Sequence, residues 1–157
     1  MSAICWNYRG LGNPRTVGTL QKSILEEDPT LVFLMETKFT VEEMDEIKHK
    51  LERSQGTIVP SVRRSGGLAL LWKESLSVEV QTFSPRHIDV VITEENEKKK
   101  WQFTGFYGHP ETSKKGESWS LLVNLSTRSR LPWVCMRDFN QISHRGEKVG
   151  GGERPEW

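Results

Sequence analysis

The chain has 157 residues, enough for one domain with a real core, and its six Trp and six Phe argue against a disordered chain. Lys and Arg number 22 against 21 Asp and Glu, a formal net charge of +1, so any surface for nucleic acid has to be local. Nothing approaches the roughly 20 consecutive apolar residues of a membrane span, and no basic segment followed by an apolar stretch opens the chain. No signal peptide is therefore predicted, the location expected is intracellular, and no membrane partner is expected.

Taken in order, Ala3-Ile-Cys-Trp6 is a short apolar run that stops at Asn7. Tyr8-Arg-Gly-Leu-Gly-Asn-Pro14 is dense in Gly, Asn and Pro and reads as a loop. Pro14 suits the first turn of a helix, and Val17, Leu20, Ile24 and Leu25 follow at helical spacing. Asp28-Pro29 closes that helix. Leu31-Val-Phe-Leu-Met35 is a continuous apolar strand ending in Glu36-Thr37-Lys38. Thr40 with Glu43 three residues on is a capping box, and Val41, Met44, Ile47 and Leu51 give the second helix an apolar face. His49 falls among its solvated charges.

From Gly56 the texture changes to strands. Thr57–Val59, Gly67–Trp72, Ser77–Phe83, Ile88–Thr93 and Trp101–Tyr107 are predicted, separated by turn signals and by a charged hairpin tip at Glu94–Lys100. Trp119, Leu122, Val123 and Leu125 suggest a third helix. Trp133 to Met136 is a last apolar strand, leading into Asp138-Phe139-Asn140. Helix and strand alternate, strands then run consecutively, and helix and strand return. The pattern predicts an α/β layered domain with a mixed sheet covered by helices. Cys5 and Cys135 lie inside apolar runs, which predicts buried, reduced thiols and a reducing compartment.

Several strands end in residues able to carry chemistry. The first ends in Asn7, the second in Glu36, the last in Asp138 with Asn140, and Trp101–Phe106 runs into Tyr107. Side chains two apart on a strand share a face, so Asp138 and Asn140 should point the same way. Carboxylate and amide oxygens suit a hard cation such as magnesium, and a phenol can donate to a developing oxyanion. Asp and Asn are also common turn residues, so each position taken alone reads as structural before it reads as functional, and four strand ends of matching character shift that reading. Gly10-Leu-Gly12 before a helix mimics a dinucleotide fingerprint, but its third glycine would have to stand at Arg15.

Five stretches then appear in order: Trp6-Asn-Tyr-Arg-Gly-Leu-Gly12, Leu34-Met-Glu-Thr-Lys38, Arg64-Ser-Gly-Gly-Leu-Ala-Leu-Leu-Trp72, Thr104-Gly-Phe-Tyr-Gly-His-Pro110 and Asp138-Phe-Asn140. Together they resemble the endonuclease/exonuclease/phosphatase superfamily, and most of all the endonuclease domain of plant LINE-type retrotransposons. The resemblance implies a four-layered α/β sandwich, two sheets packed between helices, over a single domain spanning residues 1–157. It implies a magnesium-dependent hydrolase of phosphodiesters that nicks DNA, with manganese as an alternative metal and a nuclear location. Carried over by position, Glu36 would be the main metal ligand with Asn7 beside it, and Tyr107 would stabilise the transition state. Asp138 would orient or help deprotonate the attacking water. Asn140 would contact the scissile phosphate, and Arg9 the substrate.

The departures carry expectations of their own. Members of that family continue past the Arg154-Pro155 seen here, into further strands, another acidic residue and a Ser-Asp-His segment. This chain contains no Ser-Asp-His. The resemblance therefore implies a domain truncated at its C-terminal end, and the chain as it stands is expected not to nick DNA. Two alternatives to an active enzyme stay open: a catalytically dead remnant that keeps weak contacts through Arg9, Arg15, Arg63 and Arg64, and a domesticated binding module. Arg137 stands where the family has Gly, and is expected to point into a packed layer. Tyr8 replaces a residue that is small in the family.

Overall fold

The computed structural model describes residues 1–9 and 12–138. Twelve elements follow one another: β1 (Ala3–Asn7), α1 (Pro14–Glu27), β2 (Leu31–Met35), α2 (Val41–Lys50), β3 (Gln55–Val59), β4 (Leu68–Trp72), β5 (Leu76–Ser84), β6 (His87–Glu94), β7 (Lys99–Tyr107), a 3-10 turn (Thr112–Lys114), α3 (Lys115–Ser126) and β8 (Trp133–Asp138).

The helix boundaries follow the local chemistry. The Asn13 side chain accepts the Arg15 N–H at 3.0 Å, and Pro14 opens α1 where a missing N–H is harmless. The helix stops at Asp28, which turns left-handed (φ 42) and donates its N–H to the Ile24 carbonyl. In α2, Thr40 Oγ1 accepts from the Glu43 N–H at 3.3 Å while the Glu43 carboxylate accepts from the Thr40 N–H at 2.9 Å. That is the reciprocal box the sequence predicts.

The described strands form two four-stranded sheets, ordered β1-β2-β4-β3 and β5-β6-β7-β8. Both are mixed: β1 runs parallel to β2 and β7 to β8, and the other pairings are antiparallel. The reason for two sheets lies in β2 and β4, which are buried along their whole length. A strand apolar on both faces needs a layer on each side. On the outer side Val32, Leu34, Ala69 and Leu71 pack against Val17, Leu20 and Ile24 of α1 and Met44 and Ile47 of α2. On the inner side Leu31, Phe33, Met35, Leu68 and Leu70 meet Ile88, Val90, Ile92, Phe103 and Tyr107 of the second sheet. Each such fully buried side chain contributes roughly 1.5–3 kcal/mol. With α3 on the far face of the second sheet, where Gln102 reaches the Leu125 carbonyl, the result is a four-layered α/β sandwich.

One close approach fixes the spacing of the sheets. Phe33 lies edge-on to Phe103, with centroids 6.3 Å apart at 75°. The same Phe33 ring presses on Gly105, where a Cβ would fall 2.4 Å from its Cε2. Only glycine fits there.

Some side chains sit differently from the sequence expectation. Leu25 is 73% exposed, because it follows Ile24 by one residue and so lies about 100° further round the helix. In α3, Trp119 and Val123 are exposed and only Leu125 of the expected apolar set is fully buried. The sheet face beneath α3 is polar, with Asp89, Gln102 and Thr104 buried side by side. Cys5 and Cys135 are free thiols, half-buried rather than buried, because both stand on β1 and β8, at the edges of their sheets. Arg137 is exposed on edge strand β8 and does not enter a packed layer. No described helix is long and apolar enough to cross a membrane.

Candidate active site at the ends of four strands

The strand registers bring four of the predicted residues to one end of the sandwich. Asn7 is level with Met35 on the neighbouring strand, and Glu36 follows Met35. Tyr107 is level with Asp138 in the second sheet. Two side-chain hydrogen bonds close the circuit across the gap between the sheets. Asn7 Nδ2 donates to Asp138 Oδ2 at 2.9 Å, and the Tyr107 hydroxyl donates to Glu36 Oε1. The first links β1 to β8 and the second the end of β2 to the end of β7. Tyr107 is 2% exposed, whereas Asn7, Glu36 and Asp138 are half-buried. The polar ends are thus open and the aromatic ring is fixed by packing.

Glu36 owes its position to a backbone device. It adopts a left-handed conformation (φ 52), as does Lys38 (φ 59). Such a conformation costs a non-glycine residue of order 1–3 kcal/mol and persists only where neighbours enforce it. Here the enforcement comes from Ser65-Gly-Gly67: the Thr37 and Lys38 N–H groups donate to the Gly67 and Gly66 carbonyls at 3.2 and 2.9 Å. Gly67 has φ 94, and a Cβ there would lie 2.4 Å from Thr37 Oγ1. The paired glycines before β4 therefore hold the turn that aims Glu36 inward.

Asn7 is held from the other side. Its Oδ1 accepts the Arg9 N–H at 3.1 Å, with Arg9 left-handed at φ 48 and its side chain exposed. The amide thus faces Asp138 with its nitrogen and Arg9 with its oxygen. Glu36 Oε2 accepts no hydrogen bond among the described residues and is the free oxygen of the site. The oxygen-bearing groups gathered here, two carboxylates and an amide, are of the hard type that magnesium prefers, although the amide oxygen already accepts from Arg9. Among the described residues no group of three or more His, Cys, Asp or Glu is arranged to hold a metal ion. Asn140 lies outside the described residues. Of the predicted basic contacts, Arg15 and Arg63 are exposed, while Arg64 is paired with Glu43 at 3.2 Å.

The structure adds two residues that sequence reasoning did not single out. The Arg86 guanidinium stacks over the Tyr107 ring at 5.5 Å, and the Arg86 carbonyl accepts the Tyr107 N–H at 2.8 Å. His109 follows Gly108, whose N–H donates to the Asp138 carbonyl at 2.7 Å. Burial, reinforced by Arg86, holds the His109 imidazole below its usual pKa, and its Nε2 lies 3.5 Å from a Glu117 carboxylate. The only sequence signal for either was the turn between β5 and β6 and the Tyr107-Gly-His109 spacing. Neither spacing reveals a cross-strand neighbour.

A sequence model of the endonuclease/exonuclease/phosphatase family matches residues 4–157, nearly the whole chain. The chain belongs to the endonuclease/exonuclease/phosphatase family. Its fold is shared with solved structures at low identity. An AP endonuclease from Leishmania major superposes with a TM-score of 0.68 at 15% identity, covering 96% of this chain and 58% of that one. A mannosyl-6-phosphatase from Bacteroides thetaiotaomicron gives 0.68 at 12% identity, covering 92% and 67%. TDP2 from D. rerio, complexed with a single-strand DNA product, gives 0.67 at 15% identity, covering 90% and 61%. The human Nocturnin catalytic domain, at 15% identity and TM-score 0.67, is likewise only 62% covered. The chain thus spans about three-fifths of the length of most of these structures. Among curated proteins none matches the sequence significantly.

Proposed function

We propose that this family member carries the metal-and-tyrosine side of a phosphodiesterase site acting on DNA, of the LINE retrotransposon endonuclease type, with magnesium as the metal and manganese able to replace it. The observation that supports the reading is the closed circuit of Asn7, Glu36, Tyr107 and Asp138 at the strand ends.

In this reading Glu36, through its free Oε2, and Asn7 hold the metal. A divalent ion held there would supply Lewis-acid polarisation of a phosphoryl oxygen and activation of the attacking water. Tyr107 is pinned by packing with its hydroxyl on Glu36 Oε1, and once that proton is turned away from Glu36 it would donate to charge developing on the phosphate. Asp138 accepts from Asn7 through Oδ2, which holds its carboxylate at the strand ends, where it would align a water. Arg86 and Arg9 supply cations at the rim for flanking phosphates. Asn140 takes the scissile phosphate by resemblance alone. The choice of DNA draws on the resemblance and on neighbours that act on or bind DNA; a sugar phosphatase has the same fold, so the fold does not choose the substrate.

One observation favours a second reading, a module that binds nucleic acid without cleaving it. The Asn7 amide is engaged on both sides, its nitrogen by Asp138 and its oxygen by the Arg9 backbone. The two readings separate on supercoiled plasmid with magnesium or manganese, alongside fluorescence anisotropy on a DNA duplex. Nicking that requires the metal and disappears in Glu36→Ala supports the hydrolase. Binding without nicking supports the module. In both, Arg86→Ala should weaken binding and flatten the slope of affinity against salt by about one ion. A chain that neither binds DNA nor responds to either metal contradicts both.

A further inference from the structure

We propose that the cavity between the outer face of the second sheet and the C-terminal end of α3 binds a small zwitterion, with its ammonium or guanidinium group at the floor and its carboxylate at the rim. The outer faces of the two sheets differ in kind. The first is wholly apolar under α1 and α2. The second carries Asp89, Gln102 and Thr104, each no more than 2% exposed, where a helix would ordinarily meet apolar side chains.

A cavity of about 460 Å³ opens over Asp89 and Gln102, lined also by Thr82, Arg128 and Ser129. That volume suits a small organic molecule. Asp89 Oδ1 is fully engaged, accepting from Gln102 Nε2 at 2.9 Å and from Thr104 Oγ1 at 2.5 Å. Asp89 Oδ2 accepts no hydrogen bond among the described residues. Gln102 spends its amide nitrogen on Asp89 and on the Leu125 carbonyl at 3.3 Å, which leaves its Oε1 as a second open acceptor. Both oxygens belong to side chains lining the cavity, and a carboxyl and an amide oxygen at its floor suit a cationic donor, since a carboxylate pairs most strongly with an ionised one.

The rim has the opposite sign. Arg128 is steadied by its Nε, which donates to Asn124 Oδ1 at 3.0 Å, and its terminal nitrogens have no partner among the described residues. That fork suits a carboxylate. Thr104 and Tyr107 are an odd number of residues apart on β7, so this cavity lies on the opposite face of the sheet from the strand-end site. Its occupancy is therefore separable from the proposed hydrolase chemistry.

The test uses the whole chain and three probes of one length: 4-guanidinobutyrate, which carries both charges, n-butylguanidinium with only the cation, and butyrate with only the anion. The Trp133 indole N–H donates to Thr104 Oγ1 at 2.8 Å, which itself bonds Asp89, so its proton resonance reports on the floor. The zwitterion should shift this resonance saturably, with Kd at or below about 1 mM, and bind about tenfold more tightly than the cation alone. Butyrate should not bind. Arg128→Ala should reduce the zwitterion to the level of the cation, and Asp89→Asn should abolish both while keeping the Oδ1 acceptor. If Asp89→Asn does not fold, Arg128→Ala decides on its own. No saturable shift with the zwitterion, equal binding of zwitterion and cation, or an unchanged preference in Arg128→Ala would each overturn the proposal.

Discussion

Asn7 and Asp138 are 131 residues apart in sequence and joined by a 2.9 Å hydrogen bond from amide nitrogen to carboxylate oxygen. The bond ties the first strand of one sheet to the last described strand of the other. Hydrogen bonds to a charged partner contribute about 1.5–3 kcal/mol when part-buried. A double-mutant cycle of Asn7→Ala and Asp138→Ala, read by urea denaturation, should therefore show coupling of about 1–2 kcal/mol. Additive losses would mean the pair is held by the sheets and does not itself hold them.

Glu36 and Tyr107 should separate in a different way. Glu36→Gln removes the charge that the proposed metal needs, and is expected to abolish the stabilisation that magnesium or manganese gives to thermal unfolding. Tyr107→Phe releases a carboxylate oxygen without removing charge, so metal affinity should be kept or raised while any nicking falls by about 10²-fold or more, the scale of losing one oxyanion donor. Calorimetric titration with the metal and plasmid nicking check the two halves independently.

Gly105→Ala should destabilise strongly. The new methyl would stand 2.4–2.6 Å from several carbons of the Phe33 ring, which is itself fully buried and edge-on to Phe103. Overpacking of this kind costs about 1–3 kcal/mol. The double substitution Gly105→Ala with Phe33→Leu should recover part of the loss, as a melting curve would show.

Both thiols should be slow to react and should make stability fall in alkali. Burial pushes Cys5 and Cys135 up to about 11, with the Asp138 charge adding to Cys5. A folded pKa raised above the ordinary value of 9.0 means that the folded state holds its proton more tightly. This stability is fully present below pH 9 and is lost as pH rises from about 9 to 11. Iodoacetamide labelling at pH 7.5, native against urea-unfolded, and melting temperature across pH 8–11 test the two statements.

Tyr8→Phe should be neutral or stabilising. The Tyr8 hydroxyl is buried with no hydrogen-bond partner among the described residues, and burial pushes it up to about 12. Its ring is already packed on Trp6, with centroids 4.7 Å apart. Removing an unsatisfied hydroxyl returns a desolvation cost of about 1–3 kcal/mol. A lower melting temperature in Tyr8→Phe would show that the phenol has a partner after all.

Local chemistry along the chain sets the elements and the ends at which polar residues stand. The Thr40–Glu43 box, the Asn13-Pro14 start, the Asp28-Pro29 stop and the apolar runs of β2 and β4 are local chemistry, decided within a few residues. Asn7, Glu36, Tyr107 and Asp138 were legible as strand-end residues for the same reason. Contacts across a gap have no such local signal. The apolar run of β4 does not say that it pairs with both β2 and β3, nor that β5 begins a second sheet. Nothing local says that Arg86 stacks on Tyr107, that Gly105 is a glycine on account of Phe33, or that Gly67 is one on account of Thr37. The same holds for exposed Arg137 and half-buried Cys135, whose surroundings follow from β8 standing at the edge of its sheet among the described strands. Each is a contact between residues that the chain does not hold next to one another, and such contacts are set by packing between layers rather than by propensity along the chain.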